Sequence, residues 1–138
     1  VPIIRYADVL LSLAEAVNEQ GRWQEAVSYV NRVRNRAGVA LLNAPGNTNT
    51  KVSGVEEMRV RIRNEKKWEL ACEEQLYFEE LRWGTWKTDK FVAKNGLQNV
   101  WGAPVYTYIW GGDAYLKWAI PQSEVEKNTN IKQNEGWN

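Results

Sequence analysis

Apolar residues return at spacings of three and four from the start of the chain, the signature of amphipathic helices. Residues 3–20 place Ile3, Ala7, Leu10, Leu11, Ala14 and Val17 on one face, and Gly21 ends the run. Residues 22–37 do the same with Trp23, Ala26, Val27, Val30, Val33 and Ala37, stopped by Gly38. The short link between them predicts an antiparallel hairpin. Residues 39–53 are rich in Asn, Gly, Pro and Thr and read as a loop. Ser53, with Glu56 three residues on, forms a capping-box pattern. It opens a long helical stretch over 53–83 that is open to a break near Glu73–Gln75. Val55, Met58, Ile62, Glu65, Glu69 and Cys72 share one of its faces.

Two carboxylates on an apolar stripe need partners, because an ion removed from water without one costs several kcal/mol. Arg5, Arg34, Arg36 and Arg82 are the candidates. The expectation is a structural network built from Arg5, Arg34, Glu65, Glu69 and Arg82 that ties the first helix to the third. The opening pair also looks like one tetratricopeptide (TPR) unit. Leu13, Ala14, Val17, Gly21, Trp23, Ala26, Val30 and Val33 fall where that repeat wants large, small and turn residues. One such unit does not close a solenoid core, so it must pack on something else.

Beyond Gly84 the helical period stops, and 85–104 is irregular. Two alternating runs then flank Gly111-Gly112, which predicts a two-residue β-hairpin. In that register Tyr106, Tyr108, Trp110, Asp113, Tyr115 and Lys117 share one face. Val105, Thr107, Ile109, Ala114, Leu116 and Trp118 share the other, core-like face. The fold class is therefore mostly α: a TPR-like helical hairpin (1–38), a long third helical segment (53–83), and a loop-rich aromatic section (84–138) with one small β-hairpin. With 138 residues it reads as a single domain.

Composition removes several functions. Lys and Arg total 18 against 17 Asp and Glu, a balance that gives no electrostatic attraction to nucleic acid or an anionic membrane. Histidine is absent, so a Ser-His-Asp triad is impossible, and the commonest metal ligand and general base are missing. No Cys/His metal spacing and no Gly-rich phosphate loop occurs, so no cofactor or metal is expected. Cys72 stands alone, and no apolar run reaches the ~20 residues of a membrane span. The chain opens on Val without a signal peptide, and so reads as a piece of a longer or processed protein. Eight Trp and six Tyr, most in the second half, supply rings that either fill a core or stack on flat apolar surfaces, sugar faces included.

Four segments in order resemble the C-terminal region of the SusD/RagB family. They are Ile3–Leu11 with Ala14-Glu15-Ala16, then Val30–Gly38, then Ile62–Glu73 continuing through Tyr77–Trp83, and the tail. The tail joins Trp118-Ala119-Ile120-Pro121 to Gln133-Asn134-Glu135-Gly136-Trp137. Departures stand at Glu135, where the family has Pro, at Gln75, near a common Gly, and at Glu79-Glu80-Leu81. The resemblance implies a non-catalytic oligosaccharide-binding lipoprotein at the outer surface of the bacterial outer membrane. It would be anchored through an N-terminal region absent here, and would deliver glycan to a TonB-dependent transporter. The candidate binding strip is Trp101, Tyr106, Tyr108, Trp110 and Tyr115, with Asn99, Asp113 and Lys117 bonding hydroxyls. Burial of the strip under the N-terminal part, or its contact with a partner protein, is the competing reading. Two other functions remain open: a TPR-like protein-interaction module, and a glycoside hydrolase fragment using Glu65, Glu69, Glu73 or Glu74. Those carboxylates follow one another along one helix, where structural ion pairs are the simpler account.

Overall fold

The computed structural model describes residues 4–88 and 111–137. Among them are five α-helices: α1 (Tyr6–Glu19), α2 (Trp23–Arg36), α3 (Val55–Glu69), α4 (Gln75–Arg82) and α5 (Gln122–Lys127). One-turn 3-10 helices occur at Thr48–Thr50 and Asp113–Leu116, and the described residues contain no strand. The chain divides into two compact units, Val1–Leu76 and Tyr77–Asn138.

In the first unit α1 and α2 form a hairpin against which α3 packs. Its turn is a glycine cap. Gly21 stands at φ +82°, its N–H donates to Asn18 O, and the Arg22 N–H reaches back to Val17 O. Asn35 and Arg34 carbonyls receive the same two bonds at the end of α2. The apolar stripes meet as their spacing requires. Leu10, Leu11, Ala14 and Val17 pack with Ala26, Val30, Val33, Met58 and Ile62, all buried. Ala37, assigned to that face, is exposed because α2 has ended before it. Ile3 lies outside the described residues.

The loop contributes more than its composition suggests. Leu42 and Val52 are buried in the same core. The Asn31 side chain accepts from Leu42 N–H and donates to its carbonyl, and Asn43 Oδ1 accepts from Val52 N–H. Two amide side chains thus stand in for a ladder that the loop lacks.

The long third segment is two helices. α3 ends at Glu69, Leu70 caps it, and α4 begins at Gln75. Cys72 lies in the intervening turn at φ +64°, exposed, and not on the buried face expected of it. The start of α3 is also shifted. Gly54 is the N-cap, and Glu57, not Glu56, accepts from both the Ser53 N–H and its hydroxyl, each at 2.8 Å. Placing the cap one residue later moves the third helical position, which reaches back, to Glu57.

Within the second unit Tyr77 meets Trp86 edge-on, centroids 4.8 Å apart, and meets Phe78 at 5.3 Å. The expected hairpin requires correction in its described half. Residues 113–116 form a 3-10 turn, and Lys117 N–H returns to Ala114 O. The competing force is the tail, whose side chains take the carbonyls that a strand would offer its neighbour. The other half of the hairpin, 105–110, lies outside the described residues.

Candidate functional site

The charged positions of the first unit are arranged around α1, which presents three faces. Ala7, Leu10, Leu11, Ala14 and Val17 form the core side. Asp8, Ser12, Glu15 and Glu19 form a polar side turned toward α3. Lys66, whose side chain is 0% exposed, reaches that side, with its Nζ 3.1 Å from Ser12 Oγ, 3.5 Å from Glu15 and 4.0 Å from Asp8. Arg59 pairs with Glu19 at 2.7 Å and with Glu56. Tyr6, Val9 and Leu13 form a third, exposed apolar side. Lys66 carried no distinct sequence signal, since it follows Glu65 in a run of charges; only its burial marks it.

Arg5 bonds Glu69 and Glu73, each at 2.7 Å, and also donates to the Glu69 carbonyl. Arg34 bonds Glu65 at 2.5 Å and the Ala40 carbonyl at 2.7 Å. Arg36 takes the second oxygen of Glu69 at 2.5 Å. Arg82 pairs with Glu79 one turn back and lies over the Trp83 ring. Burial pushes the Glu69 carboxyl up, but the Arg36 and Arg5 guanidiniums outweigh it and hold the group below its ordinary 4.5. A carboxyl kept ionised in this way is a poor proton donor, whereas glycoside hydrolysis needs one held protonated. A groove of about 360 Å³ opens beside this network, lined by Arg5, Tyr6, Leu10, Arg32, Val33 and Arg36. Arg32 donates to the Tyr6 hydroxyl at 2.8 Å and lies over its ring. No group of three or more His, Cys, Asp or Glu among the described residues is placed to hold a metal.

Of the expected binding strip, Asn99, Trp101, Tyr106, Tyr108 and Trp110 lie outside the described residues. Asp113 and Tyr115 fall in the 3-10 turn. Asp113 is exposed, with Lys87 Nζ 3.4 Å away, and Lys117 is exposed next to the turn. This stretch is held by the tail. Trp137 Nε1 donates to the carbonyls of Ala114 (3.0 Å) and Lys117 (2.8 Å), and Asn134 Nδ2 donates to Trp118 O at 2.6 Å. Gln133 clasps Ile120, its Oε1 accepting from the N–H and its Nε2 donating to the carbonyl, both at 2.8 Å. Gly136 stands at φ +86°, and a Cβ there would meet Ala114 Cβ at 2.5 Å. Gln133, Asn134, Gly136 and Trp137 thus each meet this stretch directly. Trp118 and Leu116, assigned to the core-like hairpin face, are exposed at 84% and 37%. The turn that replaced the strand removed the alternation on which that assignment rested.

This tail completes a pattern that runs the length of the chain, and the family model of the SusD family matches residues 1–137. The chain belongs to the SusD family. Starch-binding protein SusD of Bacteroides thetaiotaomicron is 31% identical over 139 residues, covering 99% of this chain and 21% of that protein. SusD-like protein P2 of Formosa agariphila is 33% identical, covering 95% of this chain and 24% of its own length. The SusD family chain thus spans about a fifth to a quarter of these relatives. A SusD-like protein from Bacteroides fragilis superposes with a TM-score of 0.73 at 27% identity, over 98% of this chain and 25% of that one. A SusD superfamily protein from Parabacteroides distasonis gives 0.64 at 30% identity, over 98% and 27%. The mostly helical fold is the one these solved SusD-like structures share with it.

Proposed function

We propose that this chain is the part of an outer-surface, lipid-anchored SusD-family protein that helps hold an oligosaccharide without cleaving it. The observation that carries the reading is the family match over residues 1–137, together with a relative named as starch-binding that aligns along almost the whole chain. The contacts would come from Trp101, Tyr106, Tyr108, Trp110 and Tyr115, with Asn99, Asp113 and Lys117 bonding hydroxyls. Rings set against sugar C–H faces give modest affinity per site, and neighbouring sites add avidity. The bound glycan would pass to a TonB-dependent transporter in the outer membrane.

Affinity electrophoresis and calorimetry with maltoheptaose and other neutral oligosaccharides test this. Binding is expected without release of reducing ends, and Trp110→Ala is expected to weaken it about tenfold, a step of ~1.4 kcal/mol. Released reducing sugar would revive the hydrolase reading; unchanged binding by Trp110→Ala would remove the strip from the site.

A second reading has one observation behind it. In the groove lined by Arg5, Arg32 and Arg36 on the α1–α2 hairpin, Arg32 bonds a neutral hydroxyl while Arg5 and Arg36 bond carboxylates, so Arg32 offers a cation to an acidic peptide side chain. Capture of such a peptide, with no saccharide bound, would favour an interaction module.

A further inference from the structure

We propose that Trp118 is a stacking platform for a pyranose ring, preset by the C-terminal tail. The inference deepens the carbohydrate reading and rests on it. Trp118 is 84% exposed, more than any other large hydrophobic side chain among the described residues. A single exposed apolar side chain is ordinary. What sets this one apart is the backbone beneath it.

The carbonyls of Lys117, Trp118 and Ile120 each accept a bond from a tail side chain, and the Ile120 N–H donates to a fourth tail atom. The donors and acceptor belong to Gln133, Asn134 and Trp137, and Gly136 allows the close approach to Ala114 that brings them there. Two consequences follow. The indole is carried on a segment whose backbone is already ordered, so a ligand that covers it does not bear the cost of ordering the loop. Three of the segment's carbonyls are also taken by the tail, while the ring itself faces solvent. An indole face is flat and apolar with an electron-rich surface, and the C–H face of a pyranose is its natural complement. The other exposed rings lack this arrangement. Trp68 stands in the last turn of α3, Tyr6 is engaged by Arg32, and Phe78 leans edge-on against Tyr77.

The test is fluorine NMR on the 138-residue chain labelled with 5-fluorotryptophan. The Trp118 resonance is assigned by its loss in Trp118→Phe, and the probes are maltoheptaose, cellohexaose and laminarihexaose. The expected result is that at least one probe shifts the Trp118 resonance. Trp118→Ala should then raise the Kd for that probe about tenfold or more, while Trp118→Phe stays within about threefold, since a phenyl ring still stacks. Because the side chain is exposed, neither change should move the thermal midpoint, which separates a lost contact from a lost fold. If a probe binds the unaltered chain and Trp118→Ala binds it equally well, this inference is wrong and the carbohydrate reading survives. If no probe binds the unaltered chain, both fall.

Discussion

Gly136 illustrates how a single position is fixed by two constraints at once. Its φ of +86° is strained for any side chain, and a methyl there would overlap Ala114 Cβ. Gly136→Ala is expected to destabilise the tail by about 1–3 kcal/mol, read from a chemical denaturation curve. Ala114→Gly in the same chain should return part of that loss, because it removes the overlap but not the backbone strain. Glu69 shows the same logic for charge. Its folded pKa lies below the ordinary 4.5, so the carboxylate adds stability above that value and the contribution fades as pH falls through the lower folded value. Glu69→Gln should therefore flatten the acid limb of the stability profile of Val1–Leu76 below about pH 4.5, and should also lower stability at neutral pH by leaving Arg5 and Arg36 one acceptor short.

At the scale of elements, three helices are held by different means on different sides of α1. The core side is dispersion and apolar burial. The side toward α3 is ionic, with Lys66 buried against Asp8, Ser12 and Glu15. Breaking such a buried set from one end leaves charge uncompensated, whereas the exposed Arg22–Glu25 pair contributes little. The entry to α3 depends on Glu57, which satisfies two Ser53 donors with one carboxylate oxygen. Glu57→Ala is expected to lower the thermal midpoint followed by circular dichroism, while Glu56→Ala should leave this cap intact.

For the whole molecule, net charge near zero makes a prediction about ligands. Stacking and hydroxyl bonds to a neutral saccharide involve no counterion release, so their affinity should change by less than about twofold between ~50 and ~500 mM salt. An acidic peptide held by the Arg32 guanidinium should weaken by more than this over the same range, so a salt titration separates the two readings. Much of the fold was legible in advance, because α1 and α2 are long, strongly periodic and closed by glycine. Their buried positions, Leu10, Leu11, Ala14, Val17, Ala26, Val30 and Val33, are those the spacing selected. The break at 70–74 and the shifted cap at Gly54 were less legible, because neighbouring residues offered nearly equivalent hydrogen bonds.

What the sequence determined by itself was local: the periods of the helices, their glycine stops, and a tail whose residue types mark the family. What only the tertiary structure decided was the fate of residues 113–120. By pattern they alternate as a strand. In the folded chain Gln133, Asn134 and Trp137, distant in sequence, claim their backbone groups, and Trp118 turns from an expected core position to solvent. A strand needs a partner for its carbonyls, and alternation alone does not say which partner arrives. Lys66 makes the same point for charge, since nothing in a run of charged residues tells which one the neighbouring helix will bury.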